Sequence, residues 1–368
     1  MEENFSLTCE FAGRGSDVFS PGGTVEGCIE LQIFRHFEIQ CITVTLVGKA
    51  QTSWESDFQQ RILNGDGITK EVTPIVCYDE VTYVNISDVV WAQNPENRSM
   101  FGVGRHRLFF SFPLPNRCPP SFEGEFGSVR YSVTAKVDDK ESPRFYFTVL
   151  PRADLSRWNP LGTNVTGSVG TKRTCFCLPF RSVILRCRLS KFGYVPGEQL
   201  VTDVELENRS KKLIESIKII LVQTTHFLSI RDEKHSTTLE RKERKRPITI
   251  AETKVNVDRG GFHQSAVSMV VPPLVPTFGE SIVGIDYHVK VVVTMETTWR
   301  RRTYSSKLPV FIGTLPIVSS EGEEEASPKY KVDYKRTITS MNTLPPVFEP
   351  LYPYYTDLPS TPDVAWLL

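Results

Sequence analysis

Residues 18–33 read Val18-Phe19-Ser20-Pro21-Gly22-Gly23-Thr24-Val25-Glu26-Gly27-Cys28-Ile29-Glu30-Leu31-Gln32-Ile33. From Thr24 on, Val25, Ile29, Leu31 and Ile33 share one side, while Glu26, Glu30 and Gln32 share the other. A period of two is the mark of a strand with one face buried and one face wet. The Pro21-Gly22 pair ahead of it suits a tight turn, because proline presets φ and glycine accepts a positive one. The same alternation recurs in Ile42, Val44 and Leu46, in Tyr131, Val133, Ala135 and Val137, and in Leu200, Thr202, Val204 and Leu206. No capped stretch of helical period competes with it. The chain therefore reads as all-β, built from antiparallel sandwiches.

Working outward, the opening pattern has an echo. Tyr194-Val195-Pro196-Gly197-Glu198-Gln199-Leu200 again places an apolar residue and Pro-Gly before an alternating strand. Leu114-Pro115 leads into the Tyr131 strand, and Pro272-Pro273 leads, at similar spacing, into Tyr287-His288-Val289-Lys290-Val291-Val292-Val293. Two echoes in one order predict two copies of one sandwich. The expected division is a first sandwich over 1–152, a linker over 153–178 and a second sandwich over 179–316. The linker carries Pro151, Pro160, Gly162, Gly167, Gly170 and Pro179 in or beside it, without clean alternation. Residues 317–368 hold eight acids and four bases, net −4, with seven prolines and the run Glu321-Gly-Glu-Glu-Glu325. That composition predicts a disordered acidic tail rich in proline and tyrosine.

Composition narrows the function. Across 368 residues, 43 basic groups balance 43 acidic ones. A nucleic-acid binder needs a basic surplus to meet phosphates, so nucleic acid is excluded as a partner. Met1-Glu2-Glu3-Asn4 opens no basic-then-apolar leader, and no apolar run reaches the ~20 residues of a membrane span, which predicts a cytoplasmic chain. The eight cysteines, Cys9, Cys28, Cys41, Cys77, Cys118, Cys175, Cys177 and Cys187, lack zinc-type spacing and read as free thiols. The six histidines form no H-x-x-x-H, and neither a nucleophile elbow nor a phosphate-binding loop is complete. The expectation is no enzyme, no metal and no cofactor.

Four segments resemble one family. Phe19-Ser-Pro-Gly-Gly-Thr-Val-Glu-Gly27, Pro120-Ser-Phe-Glu-Gly124 running into Gly127-Ser-Val-Arg-Tyr131, Gly193-Tyr-Val-Pro-Gly-Glu198, and Leu308-Pro-Val-Phe-Ile-Gly-Thr-Leu-Pro316 stand in the order seen in the arrestin-domain-containing proteins, the α-arrestins. The resemblance covers roughly residues 5–316. It implies two arrestin-type sandwiches in tandem and a cytosolic adaptor for trafficking, endocytosis or ubiquitin-dependent turnover of membrane-protein cargo, peripheral at the plasma membrane or endosomes. It also implies a tail whose P-P-x-Y motifs recruit WW-domain ubiquitin ligases.

The tail departs from that pattern. Pro345-Pro346-Val347-Phe348 has phenylalanine where the motif has tyrosine. The prolines keep the extended conformation that docks on aromatic rails, and the lost hydroxyl forfeits one hydrogen bond, about 0.5–1.5 kcal/mol or roughly two- to twelve-fold in affinity. Tyr352-Pro353-Tyr354-Tyr355 follows as a groove-binding or phosphorylation candidate. Asp363, Leu367 and Leu368 match an acidic dileucine pattern of the kind read by clathrin adaptors. Arg241, Lys242, Arg244, Lys245 and Arg246 give five bases in six residues, read as a hairpin tip that meets anionic lipid headgroups or a phosphorylated cargo tail, and Arg300, Arg301 and Arg302 are expected to join that surface. Two rival readings stay open: a ligase-independent endosomal sorting scaffold, and a redox- or metabolism-linked binding protein using a cysteine.

Overall fold

Alternation decides which face of each strand meets a core, and the computed structural model follows it. It describes residues 4–12, 17–64, 67–93, 101–155, 165–170, 174–175, 178–179, 183–233, 236–279, 281–295, 302–316, 330–337 and 348–358. The first half contains β1 (Phe5–Phe11), β2 (Val18–Phe19), β3 (Thr24–Ile33), β4 (Cys41–Asn64), β5 (Gly67–Ala92), β6 (Gly104–Pro113), β7 (Phe122–Glu123), β8 (Gly127–Val137), β9 (Lys140–Glu141) and β10 (Phe145–Val149). The second contains β11 (Val165–Gly170), β12 (Thr174–Cys175), β13 (Leu178–Pro179), β14 (Val183–Leu189), β15 (Gly193–Tyr194), β16 (Gln199–Asn208), β17 (Ile214–Glu233), β18 (Ser236–Val257), β19 (Phe262–Val270), β20 (Val283–Met295) and β21 (Arg302–Ile312). Two more, β22 (Val332–Arg336) and β23 (Leu351–Tyr355), lie in the tail.

The first sandwich faces the sheet β1-β3-β6 against β5-β4-β8-β10-β2. The second faces β11-β14-β16-β19 against the sheet of β15, β21, β20, β17 and β18. Val25, Ile29, Leu31 and Ile33 are wholly buried, as are Leu200, Thr202, Val204 and Leu206, so the faces read from the sequence are the faces that pack. The echo also holds in detail. Gly22 and Gly197 both take positive φ, at 76° and 99°. The Leu114 amide donates to the Gly23 carbonyl, and the Val271 amide donates to Glu198 in the matching turn. In each sandwich the chain before the Pro-Gly turn pairs in parallel with a late strand, Phe19 with Val149 and Tyr194 with Ile312.

One half-sheet from each sandwich continues into the other. β17 pairs with β5 at Ile230 and Tyr78, so a single twelve-stranded sheet crosses the domain junction. Thr52 Oγ1 donates to the Leu228 carbonyl at 2.7 Å, and the Phe126 ring meets Phe227 edge-on at 5.7 Å beneath. Such an edge-to-face pair contributes about 1 kcal/mol beyond its buried area.

Four expectations are corrected. The segment 153–178, read as linker, supplies β11, which pairs along β14 as the edge of the second sandwich; glycines at 167 and 170 do not stop backbone pairing. Arg241 to Arg246 are no hairpin tip. They lie within β18, opposite Leu228 to Gln223 of β17, because Glu233 and Ser236 make the turn. Arg302 opens β21 level with Met295 and hence with Ile214, nine residues along β17 from Gln223, roughly 30 Å at the strand rise, so it does not join that basic stretch. Finally, part of the tail is ordered. β22 and β23 form an antiparallel pair from Val332 opposite Tyr355 to Arg336 opposite Leu351. Average composition predicted otherwise, but a few aromatics suffice once a groove covers them.

Candidate functional site at the seam of the sandwiches

The ordered tail segment lies across both sandwiches. Its backbone and two phenols are held by groups far apart in sequence. The Leu351 amide donates to Thr148 Oγ1 at 3.1 Å, and the Tyr352 hydroxyl donates to the Ser121 carbonyl at 3.0 Å, both in the first sandwich. Ser121 is itself fixed, since its Oγ accepts the Val149 amide at 2.9 Å. Three residues on, the Tyr355 amide donates to the Pro196 carbonyl at 3.1 Å and its hydroxyl to the Thr314 carbonyl at 2.7 Å, both in the second sandwich. Thr314 is tied back to the chain leaving the first sandwich, where its Oγ1 accepts the Ala153 amide at 2.7 Å.

Side-chain packing completes the groove. Pro350, Tyr352, Pro353 and Tyr355 are buried. Tyr355 packs with Leu155 and Val195 in a small apolar cluster of its own. Phe348 stacks on Tyr146 with ring centroids 5.4 Å apart and planes at 26°. On the opposite face Lys335 sits 3.9 Å over the Tyr354 ring, and Arg336 pairs with Glu349 at 2.9 Å. Gly197 has no room for a side chain: a Cβ there would come within 2.0 Å of the Tyr355 carbonyl oxygen. The residue is glycine for two reasons, its φ and the tail.

Burial sets the protonation of this site. It pushes the Tyr352 phenol well above its ordinary value, with nearby Tyr287 and Glu123 adding in the same direction. Tyr355 is pushed up to about 12 by burial, then by Tyr334. Both stay neutral donors at physiological pH, as their carbonyl acceptors require. Burial also lowers Arg246, which lies beneath the tail beside Tyr287 and Tyr352.

The other predicted residues separate. Lys242 is directed at the seam, 4.0 Å over Phe126 and 5.8 Å over Trp54. Arg244 pairs with Glu125 of the first sandwich at 3.0 Å. Arg241 and Lys245 both lie 3.3 Å from Glu243 on the far face. The bases are thus divided between two faces and matched by acids or rings. Pro345, Pro346, Arg300, Arg301, Asp363, Leu367 and Leu368 lie outside the described residues. Cys9 and Cys187 are pushed up to about 12 by burial, and burial also raises Cys77 and Cys118. Such thiols are inert rather than reactive.

Sequence reasoning missed a second feature of the seam. Tyr78, Ile230 and Leu239 stand side by side across three strands, with Val76 two residues from Tyr78 on the same face. Their exposures are 49%, 38% and 67%, and 61% for Val76. Gln51 and Glu80 fringe this row, the Tyr78 hydroxyl donating to Glu80 at 2.7 Å. Nothing in the local pattern marks it, because it is assembled from both sandwiches.

The comparisons agree with this architecture. The model of the Arrestin (or S-antigen) N-terminal domain matches residues 7–156, and that of the C-terminal domain matches 180–317. The chain is 21% identical over 321 residues to arrestin domain-containing protein 5 of Bos taurus, covering 83% of this chain and 90% of the relative. It is 25% identical over 325 residues to arrestin domain-containing protein 4 of Mus musculus, covering 84% and 72%. A third relative, arrestin domain-containing protein 17 of Caenorhabditis elegans, is 27% identical over 236 residues, covering 61% and 51%. With both domain models matched in tandem, on two sandwiches that repeat each other turn for turn, the chain belongs to the arrestin-domain-containing family.

Proposed function

We propose that this chain is a non-enzymatic cytoplasmic adaptor that grips membrane-protein cargo at the seam of its sandwiches and brings trafficking or ubiquitination machinery through its tail. Family membership supports an adaptor role of the arrestin type in general. The observation that carries the finer reading is the exposed row Val76, Tyr78, Ile230 and Leu239. A contiguous apolar patch with a polar fringe marks an interaction surface, since water pays a free-energy penalty for it when bare. Cargo seated there would touch both domains at once. No helix among the described residues is long and apolar enough to cross a membrane. In this reading the chain approaches the plasma membrane or endosomes as a peripheral partner.

In this reading Pro345, Pro346 and Phe348 recruit a WW-domain ubiquitin ligase, and Asp363, Leu367 and Leu368 a clathrin adaptor. Lipid headgroups are secondary partners, because Arg241, Arg244 and Lys245 already face acids. The ligase-independent sorting scaffold is favoured by one observation, the seating of Phe348 on Tyr146.

The test is turnover of membrane-protein cargo in cells expressing the full chain or its Leu239→Asp variant, together with binding of the 336–368 peptide to a panel of WW domains. Loss of cargo turnover in a folded Leu239→Asp chain supports the seam. Unchanged turnover sinks it. A peptide that binds only as Phe348→Tyr, and whose Pro346→Ala form binds nothing, leaves the ligase-independent scaffold standing.

A further inference from the structure

We propose that β19 is a self-pairing edge, through which two copies of this chain join antiparallel about a two-fold axis at Ala266. β19 ends the sheet β11-β14-β16-β19 and has no strand on its outer side among the described residues. It pairs with β16 without a register shift, from Glu207 opposite Phe262 to Gln199 opposite Val270. Just beyond the two ends of that ladder, the Asn208 amide donates to the Gly261 carbonyl and the Val271 amide to the Glu198 carbonyl. Gly261 and Val271 thus face β16. Alternation then turns the backbone N–H and C=O groups of Phe262, Gln264, Ala266, Ser268 and Val270 away from it, toward solvent. The same five residues have exposed side chains.

Three features make a second copy the partner that fits. Free edges are ordinarily protected by charge, proline or a bulge. The edge strand β18 has all three, in Arg241 to Arg246, in Pro247 and in the register shift between Leu221 and Val222. β19 holds no Asp, Glu, Lys, Arg or Pro and has no such shift. Second, its exposed apolar residues are placed symmetrically. Phe262 and Val270, 62% and 44% exposed, stand at equal distances along the strand on either side of Ala266. Antiparallel pairing about Ala266 sets Phe262 of one copy opposite Val270 of the other, and Gln264 opposite Ser268, each pair exchanging two backbone bonds. An aromatic residue facing a β-branched one is a favourable cross-strand pair. Third, the acids beside β19 do not repel a second copy. Asp203, Glu205 and Glu207 of β16 are matched by Arg188, Arg186 and Arg209 at 3.2, 3.6 and 2.6 Å.

The contact uses the same surface on both copies, so it closes at two chains and joins two four-stranded sheets into one. A single strand pair is a small interface, which makes the dimer reversible, with a dissociation constant on the order of micromolar. Such a dimer carries two copies of the seam, so clustered cargo is held by both at once; only this consequence rests on the adaptor reading.

Sedimentation velocity of the full chain at rising concentration, alone and as its Ala266→Lys and Ala266→Glu variants, is the decisive experiment. Ala266 is exposed, and an unaltered circular dichroism spectrum verifies that each variant is folded. The unaltered chain is expected to dimerise. Each variant sets like charges face to face on the axis and is expected to dimerise at least about tenfold more weakly. An equal mixture of the two variants is expected to recover the dimer, since opposite charges then meet there. An unaltered chain that stays monomeric up to about a hundred times that micromolar constant overturns the proposal and leaves the edge to a strand of another protein. Variants that dimerise like the unaltered chain place the contact elsewhere, and a mixture no more dimeric than its components removes the Ala266 axis; either result overturns it too.

Amide exchange on the unaltered chain tests the same edge without any variant. The Gln264, Ala266 and Ser268 amides face solvent in one copy and are bonded in two, so their exchange is expected to slow as concentration rises. The Val267 amide, turned toward β16 in either state, is the internal control. Exchange at Gln264, Ala266 and Ser268 that ignores concentration overturns the pairing. Neither measurement involves cargo or a ligase, so failure here is separate from failure of the adaptor reading.

Discussion

Tyr131 and Tyr287 occupy the same place in the two sandwiches: each phenol donates at 2.8 Å to the carbonyl twelve residues earlier, Pro119 for Tyr131 and Val275 for Tyr287. Each bond ties a central strand to the loop that leads into it. The Tyr287 hydroxyl also accepts a bond from Gln223 Nε2 at 2.8 Å. Replacing either tyrosine by phenylalanine strands a buried carbonyl, which costs about 1–3 kcal/mol. Tyr287→Phe strands the Gln223 amide as well and is expected to be the more destabilising. Urea midpoints of the two variants, at unchanged slope, check the order.

Gly197 and Gly260 provide a controlled comparison. Both take positive φ, but nothing lies within 4 Å of a Cβ at Gly260. Gly260→Ala is expected to cost about 1 kcal/mol, the strain of the conformation alone. Gly197→Ala is expected to cost more and to dislodge Tyr355, so its melting temperature falls further. Faster amide exchange at Tyr355, absent from the Gly260 variant, distinguishes displacement of the tail from strain.

Stability should fall as the solution becomes alkaline. Cys9 and Cys187 are pushed up to about 12 from an ordinary 9.0, and Tyr355 to about 12 from 10.0, in each case chiefly by burial. The folded chain holds these protons while the unfolded chain releases them, so stability is intact below pH 9 and is lost as pH rises from about 9 to 12. Thermal melts across that range, with tyrosinate absorbance followed in parallel, are expected to show buried phenols ionising together with unfolding.

The same burial predicts thiol behaviour. Cys9 and Cys187 should alkylate with iodoacetamide at pH 8 at least about tenfold more slowly in the native chain than in urea, because little thiolate is present. Mass spectrometry of the labelled peptides checks it. Fast native labelling of either would revive the redox-linked reading.

Leu239→Asp should leave the fold nearly untouched. Leu239 is largely exposed, and a surface change of this kind moves stability by about 0.5 kcal/mol or less. An unshifted denaturation curve therefore qualifies the variant for the cargo experiment.

Most of the fold was legible because period two leaves little choice of face. Val25 to Ile33 and Leu200 to Leu206 had to bury one side, and the structure buries that side. The Pro-Gly turns were legible because few residues accept the φ of Gly22 and Gly197. Charged strands were harder. In β18 the residues Arg241, Glu243 and Lys245 face one way and Lys242, Arg244 and Arg246 the other, so hydropathy does not alternate although geometry does. The tail was misread for another reason. Its acid and proline content, averaged from 317 to 368, conceals one short aromatic stretch. The groove that orders this stretch is composed of Ser121, Thr148, Pro196 and Thr314, which no local window brings together.

The continuous sheet has a kinematic consequence. Among the described residues, its backbone ladder between the sandwiches is a single pair, Ile230 with Tyr78. One such pair resists sliding along the strand direction but allows rotation. The tail supplies a second fixed point, where Tyr352 is attached to one body and Tyr355 to the other. Side chains reinforce the Ile230–Tyr78 pair, with Thr52 bonded to Leu228, Arg244 paired with Glu125 and Tyr83 bonded to Ser281. The tail adds a further tie through its phenols, so its loss would leave relative rotation of the halves resisted by fewer contacts.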